Sequence, residues 1–283
     1  MRLLEQGALR SDSASLPRPA WLNPLAAIFS FVDKTLVITE IEIRKLRHDP
    51  TDLITRAVQP TLWLLVFGQV FARTRAIPTG DLPYIAFMAP GILAQSVLFV
   101  AIFFGIAIIW ERDLGIIHKF LASPTPRAAL VLGKALSAGV RGLSQAVIIY
   151  ILAILLGVPM NWDIVALVVL MLVVVLGAAF FSTFSLIIAC LVKTRERFMG
   201  IGQVLTMPLF FASNAIYPIS MMPDWLQFVS HANPLTYEVD ALRALMVSGA
   251  VSAYGIGFDV GILLLATTLL VLIGGRLYPN VVI

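Results

Sequence analysis

The chain has 283 residues, 59% of them hydrophobic and only 13% charged, about half the charged fraction of an ordinary soluble protein. A soluble domain of this size has nowhere to hide so much apolar surface, so the composition excludes a cytosolic globular protein. The net charge of +4 and the isoelectric point near 9.4 do not indicate nucleic acid. The excess lysine and arginine instead sits in alternate loops, where it faces an anionic inner leaflet.

Residues 1–23 carry Ser13, Ser15, Pro17 and Pro19 and lack the apolar core of a signal peptide, which predicts a mobile cytoplasmic tail. Residues 24–50 predict an amphipathic interfacial helix. Leu25, Ile28, Phe29, Val32, Leu36 and Ile43 form its apolar side, Asp33, Lys34, Glu40, Arg44 and Lys45 supply charge, and Asp49-Pro50 ends it. Residues 51–283 have no internal repeat and no Gly/Ser linker and read as one membrane domain. Its apolar spans fall at about 53–72, 84–109, 128–157, 163–192, 200–214 and 258–278. All but the fifth have the roughly 20 residues needed to cross a ~30 Å hydrocarbon core. The fifth is short, so its end is irregular or extended.

The inner loop from Trp110 to Arg127 is short and charged, and the outer turn from Val158 to Trp162 predicts a tight helical hairpin. Residues 215–256 form an external re-entrant region. It has helical patterns at Pro223–Ser230 and Thr236–Met246, broken by Pro218, Pro223 and Pro234, whose apolar faces dip partway into the outer leaflet. The fold class is therefore an all-α polytopic membrane protein of six transmembrane helices, with an N-terminal cytoplasmic interfacial helix and short external helices before the last span.

With the N-terminus in the cytoplasm, the inside receives Arg44, Lys45, Arg47, Arg56, Arg112, Lys119, Arg127, Lys193, Arg195, Arg197 and Arg276, besides the tail arginines. The outside receives only Arg73, Arg75 and Arg243. The positive-inside rule then puts both termini in the cytoplasm of a multi-pass protein of the cell (inner) membrane.

No catalytic constellation survives inspection. His48, His118 and His231 lie far apart in flanking segments, and the one cysteine, Cys190, reads as a small apolar filler. Gly133-Lys134 lacks the earlier glycine and the following Ser/Thr of a phosphate-cradling loop. The chain is expected to be no enzyme and to bind no cofactor and no metal. Any work against a gradient then needs energy from another polypeptide or an ion.

Leu114, Ile117, His118 and Leu121 recur at i, i+3, i+4 and i+7, which permits a short amphipathic helix closed by Pro124 and Pro126. Such a compact charged knob suits a cytosolic partner, although spacing alone also allows an ordinary solvated connector. Gln59, Gln95 and Gln203 are amides within spans and so face protein or water. Each is either a conduit wall or an interhelical hydrogen bond. Lys134 and Arg141, seven positions apart on one helical face, favour an interfacial, snorkelling role, since no acid partner is evident within the spans.

The run Glu111, Arg112, Asp113, Gly115, Leu121, Ala122, Ser123, Pro124 resembles the cytosolic coupling loop of type-2 ABC transporter permeases. A second run, Asn233-Pro234-Leu235-Thr236-Tyr237 followed by Asp240, Leu242 and Arg243, resembles the segment before that family's last span. Pro90-Gly91, Pro218 and Met222-Pro223 resemble further points of the pattern, and the likeness extends over about residues 35–280. It is closest to the daunorubicin-resistance and nodulation-factor exporter branch. The resemblance implies an exporter permease that forms a homodimer and docks a cytosolic ABC ATPase, which carries the ATP and Mg, through Glu111, Arg112, Asp113, Gly115, Leu121, Ser123 and Pro124. It also tips Gln59, Gln95 and Gln203 toward the conduit and marks Asn233, Pro234, Tyr237, Asp240 and Arg243 as an external motif. A mostly apolar path with few amides favours an amphipathic, lipidic or drug-like cargo, with glycolipid or saccharide still open. The alternative is an ion-coupled secondary transporter, which should show intramembrane carboxylates and inverted repeats.

Overall fold

The computed structural model describes residues 24–46, 55, 58–74, 77–122, 125–192 and 194–278. The expected tail (1–23), the Asp49-Pro50 helix stop, the start of the first span, and Ser123 and Pro124 lie outside the described residues. Among those described, the regular structure is helical throughout.

The first helix, α1, runs from Pro24 to Leu46. The described part of the first apolar span contains a π-helical stretch, Trp63–Gly68, followed by α2, Gln69–Thr74. α3 (Tyr84–Asp113) leads through a turn into α4 (Ile116–Ala122). α5 (Arg127–Leu155) and α6 (Ile164–Leu191) follow, then α7 (Arg195–Phe211). A 3-10 turn at Ile219–Met221 precedes α8 (Asp224–Ala232), α9 (Pro234–Met246) and α10 (Ile256–Leu277). Of these, α3, α5, α6 and α10 are long and apolar enough to cross a membrane.

Local chemistry sets the boundaries. Asp163 caps α6 by accepting from the Ala166 amide at 3.0 Å, and Thr194 caps α7 through Arg197. Capping at Thr194 starts the fifth segment well before Gly200, and the helix closes at Phe211. Pro234 falls at the break between α8 and α9, as the sequence suggested. It opens α9 at the first position, where a missing N–H costs nothing, and Asn233 caps it by accepting from Leu235 at 3.1 Å. The 158–162 turn joins α5 to α6 as the expected tight helical hairpin. Gly157 turns at φ +75°, and Met160 pairs antiparallel with Val247, so this outer turn is tied to the end of α9.

α3 is the central helix, packed by α5, α6, α7 and α9. Lipid offers helices no hydrophobic incentive to associate, so close fit has to do it, and small residues line the contacts. Ala86, Ala89, Gly91, Ala94, Ala101 and Gly105 of α3 are buried, as are Gly177, Ala178, Ala179, Ser182, Ser185 and Ala189 of α6. A β-carbon on Gly105 would overlap the Phe198 ring and the Ser185 hydroxyl. α1 lies along α5, where Thr39 donates to the Gly133 carbonyl at 3.2 Å and Ile38 fills the space above that glycine.

Candidate functional site

At the end of α3 the chain passes from apolar to charged, and Gly115, at φ +71°, turns it into α4. A β-carbon is disfavoured in that left-handed conformation, which explains glycine at this point of the motif. Asp113 lies between two arginines. It accepts from Arg112 at 3.1 Å and from Arg195, at the start of α7, at 2.6 Å. The Arg195 guanidinium also stacks 3.6 Å over the Trp110 ring. Arg112 further reaches the Val192 carbonyl at 3.4 Å. These contacts lock the α3–α4 and α6–α7 loops into one unit, with Leu114 exposed at its tip.

Glu111, the first residue of the run that resembles a coupling loop, turns inward. It accepts from Lys134 of α5 at 2.5 Å, and both side chains are nearly inaccessible. This corrects the interfacial reading of Lys134, because the end of the neighbouring helix supplies the acid that the sequence did not pair with it. Lys134 also lies 5.7 Å beneath the Phe120 ring of α4. One buried ammonium thereby joins α3, α4 and α5. Arg141 packs 5.0 Å over Phe104. Sequence reasoning missed Trp110, Arg195 and Lys134 as parts of the loop unit. A lysine in an apolar helix was itself a signal that a partner must exist.

The proposed conduit amides separate. Gln59 and Gln95 line one small cavity of about 100 Å³ with Thr55, Pro60, Ser96 and Phe103. Gln95 is buried, and its Oε1 has no hydrogen-bond partner, so a polar guest in this cavity would meet an unmet acceptor. Gln203 is not part of that cavity. α7 turns Phe198, Gly202, Thr206 and Phe210, one ridge at four-residue spacing, inward and leaves Gln203 exposed beside Val204 and Met207.

The external motif forms a buried clamp. Arg243 donates from Nε to the Phe87 carbonyl at 3.2 Å and from Nη2 to the Asn214 carbonyl, and its guanidinium lies 3.8 Å over the Phe87 ring. Asn233 donates to the Leu209 carbonyl at 2.7 Å, and Tyr237 to that of His231 at 2.7 Å. Asp240 accepts from Ser252 at 2.8 Å and from the Ala253 amide at 2.7 Å, which fixes the loop leading to α10. Together these residues staple α9 to α3, to the end of α7 and to the last helix. The apolar face of α9 (Val239, Leu242, Leu245, Met246) is covered by protein, whereas α8 exposes Trp225 and Phe228.

The chain is similar to known proteins over most of its length. The chain is 30% identical over 222 residues to ycf38 of Cyanophora paradoxa, covering 77% of this chain and 75% of that one. It is 26% identical to the daunorubicin resistance ABC transporter permease DrrB1 of Streptomyces coeruleorubidus, over 97% of this chain and 93% of the relative. The Escherichia coli inner membrane transport permease YadH is 25% identical across 68% and 73% of the two chains. Residues 33–247, which run from α1 through the external clamp, match a single family, and the chain belongs to it: the ABC-2 type transporters.

Proposed function

We propose that this chain is the permease subunit of an ATP-driven exporter in the cell membrane. It crosses six times with both termini in the cytoplasm, and two copies work with a separate cytosolic ATPase that binds ATP and magnesium. The chain does no chemistry. It alternates between states of different affinity for cargo, and the ATPase biases that equilibrium. The observation that carries this reading is the Asp113 bridge between two cytoplasmic loops. A loop pair held as one body, with an exposed leucine at its tip and α3 and α7 rising from it, can turn a push from a docked protein into helix movement. The cavity beside Gln59 and Gln95 lies on the same α3 helix, so that movement would reach it. Its amides and hydroxyls beside the Phe99 and Phe103 rings favour an amphipathic or drug-like cargo, and the name of the DrrB1 relative points the same way.

The test is co-purification with a P-loop ATPase from detergent, comparing wild type with Leu114→Glu and Gly115→Pro. The expected result is ATPase retained by wild type and lost from both variants. An ATPase-free chain whose transport collapses with a proton or sodium gradient would establish the ion-coupled alternative instead. One observation favours that rival. Glu238 of α9 is fully buried, and neither carboxyl oxygen has a hydrogen-bond partner.

A further inference from the structure

α5, α6 and α10 enclose a groove of about 700 Å³, with Phe31 of α1 among its lining residues. Leu132, Val173, Leu176 and Leu264 are typical of its walls, and no charged side chain lines it. Its only polar members, Thr267 and Thr268, donate their hydroxyls back to Leu263 and Leu264 at 2.7 and 2.8 Å. The walls therefore offer nothing for water to bond, and a cavity of this kind takes hydrocarbon.

The end at Ala128 is different. The α10 ridge through Val260, Leu264, Thr268 and Leu272 continues at the same four-residue spacing to Arg276, which is exposed. Ala128 lines the groove and follows Arg127, also exposed, at the start of α5. The two helices meet at this point, since a β-carbon on Gly275 would lie 3.4 Å from the Ala128 backbone nitrogen and Cα. Arg127 and Arg276 are the sequence neighbours of that contact, so both arginines leave the backbone beside one end of the groove. Apolar walls that end beside basic residues of two helices suit a molecule with a long hydrocarbon tail and an anionic head.

We propose that this groove binds one anionic phospholipid of the inner leaflet, with an acyl chain along α6 and α10 and its phosphate against Arg127 and Arg276. The site shares no residue with the cavity beside Gln95, so the lipid is a resident of the outer face of the bundle rather than cargo in transit. The inference does not depend on the direction of transport or on the ATPase.

The test is native mass spectrometry of the full-length protein from detergent, titrated with phosphatidylglycerol or phosphatidylcholine of identical acyl chains. Wild type should retain phosphatidylglycerol in preference. The Arg127→Ala/Arg276→Ala pair should lose about thirtyfold in that preference, at roughly 1 kcal/mol per basic residue, and keep its binding of phosphatidylcholine. The Arg127→Lys/Arg276→Lys pair should retain the preference. Equal binding of the two lipids by wild type, or an undiminished preference in the alanine pair, overturns the proposal. A photoreactive amino acid in place of Leu264 provides a readout that leaves both arginines intact. An adduct with the mass of one phospholipid supports the site, and an adduct joining two copies of the chain assigns the groove to a subunit interface and overturns it.

Discussion

Arg243 shows what one side chain does in this fold. Burial pulls its pKa down to about 10, with Asp240 opposing the shift, so it remains a cation at neutral pH. Its bonds to the Phe87 and Asn214 carbonyls satisfy backbone acceptors that no water reaches. Arg243→Met removes both donors and is expected to cost about 2–4 kcal/mol, measurable as a lower melting temperature in detergent. Arg243→Lys should recover little of that, because a compact ammonium cannot serve two separated carbonyls and also stack on Phe87. Glu238, five positions earlier, is the opposite case. Burial pushes its carboxyl well above the ordinary range, and no partner opposes the shift. The folded protein holds that proton where the unfolded chain releases it, so the native state is disfavoured increasingly as pH rises above about 4.3. Glu238→Gln should therefore melt higher than wild type at pH 8, with the gap closing below about pH 4. An equal gap at both pH values would show that Glu238 does not titrate this way.

Whole elements depend on close approach. Gly91 follows the helix-interior Pro90, and a β-carbon there would overlap the backbone of Ala215, in the segment that leaves α7. Backbone cannot move aside as a flexible side chain can, so Gly91→Ala is expected to destabilise by about 1–3 kcal/mol, read as a lower melting temperature. At the other end, Gly133 lets α1 rest on α5. Gly133→Val should release α1, seen as faster proteolysis within Pro24–Leu46 while α3 and α6 stay protected. The long apolar helices α3, α5, α6 and α10 were legible from composition because length and hydropathy are properties of a single segment. The tie of the 158–162 turn to α9 was not, because its hydrogen bonds go to Met246 and Ser248, residues remote in sequence.

At the scale of the whole molecule, the loop unit around Asp113 separates stability from transmission. Asp113 is 38% exposed, and a surface ion pair of that kind is worth about 1 kcal/mol at most. Asp113→Asn is therefore expected to leave the melting temperature nearly unchanged while lowering export and transport-stimulated ATP hydrolysis several-fold. A large fall in melting temperature with transport intact would reverse that assignment. Much of this site was present in the sequence as Glu111, Arg112, Asp113 and Gly115. What the pattern did not disclose is that Glu111 faces Lys134 inside the bundle and that Arg195 closes the unit from a different loop.

By itself the sequence determined the solvent of this protein, its helical class and its family. Each of these follows from composition or from contiguous runs of residues, and hydropathy and backbone satisfaction act on a segment wherever its neighbours lie. The tertiary structure alone decided which polar groups meet. It brought Lys134 to Glu111, Asp113 to Arg195 and Arg243 to Phe87, set Gln95 and Gln59 around one cavity, and left Gln203 outside it. Charge pairing acts over a few ångströms, and helical phase together with contacts between small residues determines which side chains come within that range.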